Sequence, residues 1–330
     1  MENCKITIRS GGYDQEPAVI EGIEWVTKRK GEPASLTFTC VKDSLLSFPE
    51  GAEVTFKYGN VNVFSGYVFQ KHRNKDQLIE VTCYDRTRYF KTKENYVFTG
   101  LRADQIITRI AMDMGLQLGH ISNTGYAIPK FAKSDTTMWD IIQEALDLTT
   151  MATRVPYTMY DDFGKLCVKS MAEMYTDYLL DRDVAEDFDY TTSIDQNTYN
   201  QIVVNVPDGA PVIVEAQPTR DANGKRIPST IEQWGLLQYV TDVQNADNAM
   251  AKAKALLECH NQVTASFGIN GALGDINVRA GSSIFVDLNL GDNHGNLHKS
   301  MMVSEATHRF DNGRHSMDLT LIDGGKFYAE

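Results

Sequence analysis

Few side chains in this 330-residue sequence stand at spacings that do chemistry. His294 and His298 lie four apart beside Asp287 and Asp292, a donor set that can hold a metal when a helix presents it. Gly291, Gly295 and two asparagines surround them, so the sequence predicts a polar turn there and no metal. Asp161-Asp162 offers two carboxylates for acid–base work. Adjacent residues of a hairpin point to opposite sides, so a turn is expected instead. Asp221-Ala222-Asn223-Gly224 opens like a calcium loop, with Glu232 at its twelfth position. Gly224 falls at the fourth position, where the loop needs its glycine at the sixth, and Pro228 sits inside; a chain turn is expected. The sequence has no G-x-G-x-x-G after a strand, no G-x-x-x-x-G-K-[ST] and no G-x-S-x-G. No catalytic, cofactor-binding or metal residue is predicted.

The basic clusters are Lys28-Arg29-Lys30 and the run Arg86, Arg88, Lys91 and Lys93. Tyr84, Tyr89 and Phe90 interleave the second, a mixture that can grip nucleic acid. The surrounding region is close to neutral, so a surface or subunit contact is the expectation. Cys4, Cys40, Cys83, Cys167 and Cys259 are odd in number, widely spaced and never C-x-x-C. Buried, reduced thiols are expected.

Net charge is −12, and residues 101–200 carry 16 acids against 8 bases. A duplex-binding protein needs a basic face, so specific nucleic-acid binding is not expected. The densest acidic cluster is Asp177, Asp181, Asp183, Glu186, Asp187 and Asp189, with Arg182 as its one cation. A solvated face or acidic linker is the ordinary reading of such a run. With 42% hydrophobic and 23% charged residues, the composition is that of a soluble globular protein of two or three domains. The longest apolar runs are too short to span a bilayer and nothing near Met1 resembles a signal peptide, so neither membrane insertion nor secretion is expected.

The elements that position these residues follow from periodicity. From residue 1 to about 94 the period is two, with strands expected over Cys4–Arg9, Val19–Trp25, Ser35–Val41, Ala52–Tyr58, Val61–Gln70 and Leu78–Tyr84. After Gly100 the period becomes helical: Ile106, Ile107, Ile110, Ala111 and Met114 share a face, and Gly115 stops the helix. A second helix begins near Thr137, capped with Asp140, and buries Met138, Ile141, Ile142, Ala145 and Leu146. A loop holding Gly119, Gly125 and Pro129 is expected between the helices. A hairpin over Tyr157–Tyr160 and Leu166–Lys169 follows. From about 196 the chain is again strand, with one helix from near Asn245 carrying Met250, Ala253, Leu256, Leu257 and His260. Residues 207–226 are expected as an exposed loop or ribbon. The expected organisation is a β domain over 1–94, an α/β module with two helices over 95–195, and a β domain with one helix over 196–330.

Two resemblances bear on function. Lys133-Ser134-Asp135-Thr136-Thr137-Met138-Trp139-Asp140-Ile141-Ile142 is similar to the opening of LysM peptidoglycan-binding modules, which points to a cell-wall reading for residues 133–148. A capping box ahead of an apolar helix face writes the same letters. Longer segments carry the other likeness: Tyr84-Asp85-Arg86-Thr87-Arg88-Tyr89-Phe90, Tyr96-Val97-Phe98 leading into Ala103-Asp104-Gln105-Ile106-Ile107, Lys133–Ala145, and His308-Arg309-Phe310-Asp311-Asn312-Gly313-Arg314-His315. In this order and spacing the chain resembles the XkdQ/YqbQ-type tail proteins of PBSX-like prophages and contractile bacteriocins, relatives of the T-even phage baseplate hub.

That resemblance implies a mainly β fold, with two tail-tube-like β-barrel domains flanking or enclosing the α/β module. It implies a structural protein without catalytic residues, a homotrimer forming a pseudo-sixfold ring between the tail tube and the central spike. Its implied partners are the tail tube or tube-initiator protein, the spike, the tape-measure protein and other baseplate proteins. It also implies synthesis in the bacterial cytoplasm and assembly into a tail particle. The acids Asp177, Asp181, Asp183, Glu186, Asp187 and Asp189 are then expected to line or rim the channel, where negative charge repels phosphate.

Overall fold

The structure, a computed structural model, describes residues 3–20, 22–181, 184, 187–195, 197–207, 209–243, 249–289, 296–311 and 313–323. The N-terminal strands are β1 (Cys4–Ser10), β2 (Tyr13–Gln15), β3 (Ile23–Lys28), β4 (Ser35–Val41), β5 (Glu53–Tyr58), β6 (Val61–Arg73) and β7 (Leu78–Tyr84). In β3 and β4 every second side chain is buried, Ile23, Trp25 and Thr27 in one and Leu36, Phe38 and Cys40 in the other. That is the pattern of a sheet with one face on a core. The strand expected over Val19–Trp25 is instead a lone bridge from Val19 to Cys40, then β3. Gly22 at φ +92° separates them, a conformation that only glycine adopts readily.

A 3-10 turn, Arg86–Lys91, leads into the middle of the chain. Here lie β8 (Lys93–Arg102), α1 (Ala103–Asp113), β9 (Leu118–Ile121), β10 (Ala127–Thr137), α2 (Met138–Thr153), β11 (Tyr157–Asp162) and β12 (Lys165–Ser170). The helix faces are those read from periodicity: Ile106, Ile107, Ile110 and Ala111 on α1 and Met138, Ile141, Ile142, Ala145 and Leu146 on α2 are all buried. The Thr137 hydroxyl accepts the Asp140 amide at 3.1 Å and so caps α2. The loop expected between the helices is two strands. β10 pairs with β8 as an antiparallel ribbon and β9 lies parallel to β12. Only Phe98 on β8 and Ile128 and Phe131 on β10 are buried, so no alternation marks these strands in the sequence.

The remaining elements are β13 (Tyr175–Leu180), β14 (Asp187–Ser193), β15 (Gln201–Asn205), β16 (Val212–Glu215), β17 (Thr219–Arg220), β18 (Arg226–Ile227), α3 (Thr230–Trp234), β19 (Gln238–Asp242), α4 (Ala249–His260), β20 (Thr264–Leu273), β21 (Ser283–Asn289), β22 (Asn296–Asp311) and β23 (Arg314–Asp323). The short α3 was not foreseen; it buries no residue and rests on the Ser229 cap. Asn245, the expected start of α4, lies outside the described residues, and Met250 on its expected apolar face is 47% exposed.

One sheet joins the two ends of the chain. Its path is β14-β20-β23-β22-β3-β4-β7-β6-β5-β1-β2, with β21 also on β22 and β13 on β21. The seam is β3 against β22, which sets Trp25 opposite His308 and Ile23 opposite Phe310. Phe310 thereby enters the N-terminal core, 5.1 Å from Phe56. Among the described residues β2 and β14 end the path and no pairing closes it. Further cores lie around α1 and α2, between β13, β20 and β23, and under α4, where Ala249, Ala253 and Leu256 meet Ile202 and Val204 of β15. The fold is mainly β with few helices.

Candidate functional site

The face of the long sheet turned away from its cores is polar across both halves. Antiparallel partners point to the same side, so Asp189, Gly268, Thr320, Glu305 and Lys28 form one row across five strands. A neighbouring row runs Arg309, Glu24, Thr37, Thr82 and Gln70. The two cations of these rows are matched. Lys28 lies 3.1 Å from Glu32 and 3.7 Å from Glu305, and Arg309 pairs with Glu24 at 3.3 Å and with Asp318. These two rows make a hydroxyl-rich surface whose two cations are paired with carboxylates; further along the same face stand Lys5 and Lys57, both exposed.

Two of the six expected channel acids lie on this face. Asp187 and Asp189 are exposed on the edge strand β14, while Phe188 and Tyr190 turn the other way onto Phe267, at 5.3 and 5.9 Å. Among the described residues neither carboxylate has a cation partner. Asp177 is exposed on β13 and Asp181 follows that strand. Asp183 and Glu186 lie outside the described residues.

The other candidates resolve into structure. His298 stands in β22, not in a turn, 3.2 Å from Asp287 across the ladder; Asp292 and His294 lie outside the described residues. No group of three or more His, Cys, Asp or Glu residues among those described can hold a metal. Asp221 accepts the Asn223 and Lys225 amides at 2.9 Å each and closes the β17–β18 turn, while Glu232 pairs with Arg226 at 2.5 Å. The aromatic–basic run packs on its own fold: Arg86 lies over Tyr67 at 5.3 Å and Arg88 over Phe69 at 5.5 Å. Lys30 holds Asp147 of α2 at 3.1 Å, tying the first basic cluster to the helical region. In residues 133–148 the apolar side of α2 is consumed by the core. Four cysteines are buried and Cys4 is half-buried; all are free thiols.

A cleft of about 1000 Å³ opens between β1, β2, β5 and β6 and the segments Met114–Gln117 and Phe163–Gly164. Three of its cations are paired, Lys5 with Glu16 at 2.5 Å, Arg9 with Asp14 at 2.7 Å and Arg86 with Glu53 at 3.3 Å, and Lys57 lines it as well.

A polar junction that the sequence reading missed joins the middle of the chain to the sheet. Asp85 and Asp161, 3% and 7% exposed, face Arg279, whose guanidinium lies 4.1 Å over the Tyr160 ring and donates to the Asp161 carbonyl at 3.3 Å. The Arg279 residue retains some accessible surface, but its Nε is enclosed and without a partner. Burial, with repulsion from Asp161, pushes the Asp85 carboxyl well above the usual range; burial does the same to Asp161. On the far side of Arg279, His308 is fully buried, with Nε2 2.8 Å from the Val278 carbonyl and Nδ1 2.9 Å from His315 Nε2. Burial holds His308 down to about 3 and His315 down to about 4. Asp161 belongs to this junction and not to a plain turn. The first three residues of β11, Tyr157, Thr158 and Met159, are all buried, so the strand as a whole shows no clean alternation to tell where Asp161 points.

Comparison with known proteins agrees with this architecture. The "Phage-like element PBSX protein XkdQ" of Bacillus subtilis is 28% identical over 315 residues, covering 92% of this chain and 93% of that protein. Among solved structures, the prophage MuSo2 43 kDa tail protein of Shewanella oneidensis matches with a TM-score of 0.70 at 12% identity, over 98% of this chain and 100% of that one. The E. coli c3393 protein, described as a type VI secretion component with structural similarity to the T4 tail proteins gp27 and gp5, matches with a TM-score of 0.53 at 12% identity, over 96% and 76% of the two chains. The family model described as YQBQ-like matches residues 23–322. With the sheet, the seam and these matches together, the chain belongs to the YQBQ-like family, and its fold is that of phage tail proteins.

Proposed function

We propose that this protein is a structural baseplate hub of a contractile phage tail or tail-like bacteriocin, a homotrimer whose pseudo-sixfold ring joins the tail tube to the central spike. It is made in the bacterial cytoplasm and assembled into the particle. In this reading residues 1–94 and 196–330 supply two tube-like β domains and residues 95–195 the module between them. Its partners are the tube or tube-initiator, the spike, the tape-measure protein and other baseplate proteins. It has no catalytic role.

The observation that carries the reading is the single sheet running through both ends of the chain. In this reading the two β halves, joined at β3–β22, act as two sectors of each protomer, so that three chains meet a sixfold tube. The outward face is acidic and hydroxyl-rich, so DNA or a tape-measure protein passes without being held. Asp177, Asp181, Asp183, Glu186, Asp187 and Asp189 line or rim this channel. The likeness in fold to c3393, itself described as similar to the T4 tail proteins gp27 and gp5, is in keeping with a tail role.

Native mass spectrometry of the purified chain, with a pull-down on purified sacculi, tests this. A trimer that stays in the supernatant is expected. A monomer retained on sacculi overturns the hub in favour of a glycan-binding or peptidoglycan-hydrolysing wall protein acting through residues 133–148. A hexamer points to a tube-side adaptor.

A further inference from the structure

The two halves of the long sheet are built on one plan. In the N-terminal half the strands lie in the order β3-β4-β7-β6-β5, in the C-terminal half β14-β20-β23-β22-β21. Ranked by position in the chain the two orders are identical, and every neighbouring pair within them is antiparallel. The sixth strands differ: β1 lies antiparallel on β5 and β13 parallel on β21. The match reaches single residues. The Val68 amide donates to the Ala52 carbonyl at 2.9 Å and its carbonyl accepts from the Gly51 amide at 2.8 Å; Val303 repeats this with Ser282 and Gly281, at 2.8 Å each. A bulge follows each valine, before Gln70 in β6 and before Glu305 in β22.

One edge that is filled in the C-terminal half is open in the other. Beyond its bulge β22 pairs with β3 along Glu305–Phe310. The same edge of β6, Gln70–Arg73, pairs with no strand among the described residues, since β5 stops at Tyr67 and β7 holds the opposite edge. The counterpart of β3 is β14, which pairs with β20 alone among the described residues and leaves its outer edge open.

We propose that these two edges meet between chains: β14 of one protomer pairs antiparallel with β6 of the next, repeating the β3–β22 seam at each contact of the ring. The inference rests on the hub reading and names its interface. The shared plan sets the register. Trp25 reaches Val68 through Leu36 and Cys83, as Tyr190 reaches Val303 through Phe267 and Leu321. Trp25 stands opposite His308, five residues beyond Val303, so Tyr190 falls opposite Arg73, five beyond Val68. Thr191, Thr192 and Ser193 then face His72, Lys71 and Gln70. Charge agrees with this register: Asp187 and Asp189, which lack a cation partner among the described residues, come beside the exposed Arg73 and Lys75. Each chain offers β14 to one neighbour and β6 to the other, a heterologous contact that closes with three copies.

Native mass spectrometry of the full chain, followed by cysteine pairing, tests the seam. His72→Cys with Thr191→Cys puts two thiols at exposed positions of the polar face, where opposed Cα atoms lie about 4.5–5.5 Å apart, within disulfide reach. Mild oxidation of the trimer should give a covalent trimer containing the 72–191 peptide pair. Gln70→Cys with Asp187→Cys, six residues out of register and about 20 Å apart, should stay unlinked. A trimer in which the 72–191 pair links no better than this control, or stops at covalent dimers, overturns the seam and leaves the hub standing. A chain that does not trimerise overturns both. If the cysteine variants do not fold, charge exchange serves: Arg73→Glu with Asp189→Lys should trimerise about 3–10-fold more tightly than either single variant, and an exchange no tighter than the singles overturns the seam.

Discussion

Gly281→Ala asks whether the β11–β12 hairpin is pressed onto the sheet as tightly as the geometry requires. Gly281 has φ +93°, where an L-residue is strained by about 1–3 kcal/mol. Its new methyl would also lie 2.6, 2.7 and 2.8 Å from Cγ2, Oγ1 and Cβ of Thr158, a residue 3% exposed. Ordinary contacts are near 3.5–4.0 Å, so either β11 or the strap Val278–Gly281 that crosses it must move, at about 1–3 kcal/mol. The combined loss should be about 2–6 kcal/mol. Thr158→Ala removes Cγ2 and Oγ1 but leaves Cβ, so it relieves part of the steric cost and none of the backbone strain. The double variant should be less destabilised than the sum of the singles by about 1 kcal/mol or more. Urea unfolding followed through the buried Trp25 and Trp139 measures all four members of the cycle. A single-variant loss below about 1 kcal/mol, or strict additivity, would refute the tight docking of strap and hairpin.

Other expectations test separate parts of the molecule. Phe310→Ala empties a site shared by Phe56, Tyr58 and His315, at 5.1, 5.0 and 4.3 Å, and should cost about 3–5 kcal/mol in the same unfolding assay. A loss near 1 kcal/mol would mean that the seam is not a core. Thr137→Ala removes the α2 cap and should cost about 1 kcal/mol, seen as faster amide exchange in the first turn of that helix. Asp187→Lys with Asp189→Lys changes the edge of the polar face by +4 per chain, two charges at each position. Retention on duplex DNA should appear at low salt and vanish as salt rises; wild type retained equally well would count against a repelling channel.

Periodicity carried most of the architecture because most elements bury one face. The runs over Ser35–Val41 and Leu78–Tyr84 are strands with the expected bounds, and both central helices bury the residues their spacing picks out, except Met114, which caps α1 half-buried. The β8–β10 ribbon and α3 escaped because they bury almost nothing. The junction escaped for another reason. Asp85, Asp161, Arg279 and the β22–β23 hairpin that holds His308 and His315 lie far apart in sequence, and only the pairing of β3 with β22 and the docking of β11 bring them together. Single residues do not announce such contacts. The polar sheet face was equally hidden, since its row from Asp189 to Lys28 exists only through the register of five strands. By contrast, the likeness to tail proteins was legible from the order of several short segments along nearly the whole chain.

The most direct test of the hub reading is a cryo-EM reconstruction of the assembled oligomer. It should show a ring of three chains around an open channel, with Asp187, Asp189 and Glu305 facing the lumen. A ring with these carboxylates on its outer wall, or an assembly without threefold symmetry, would contradict it.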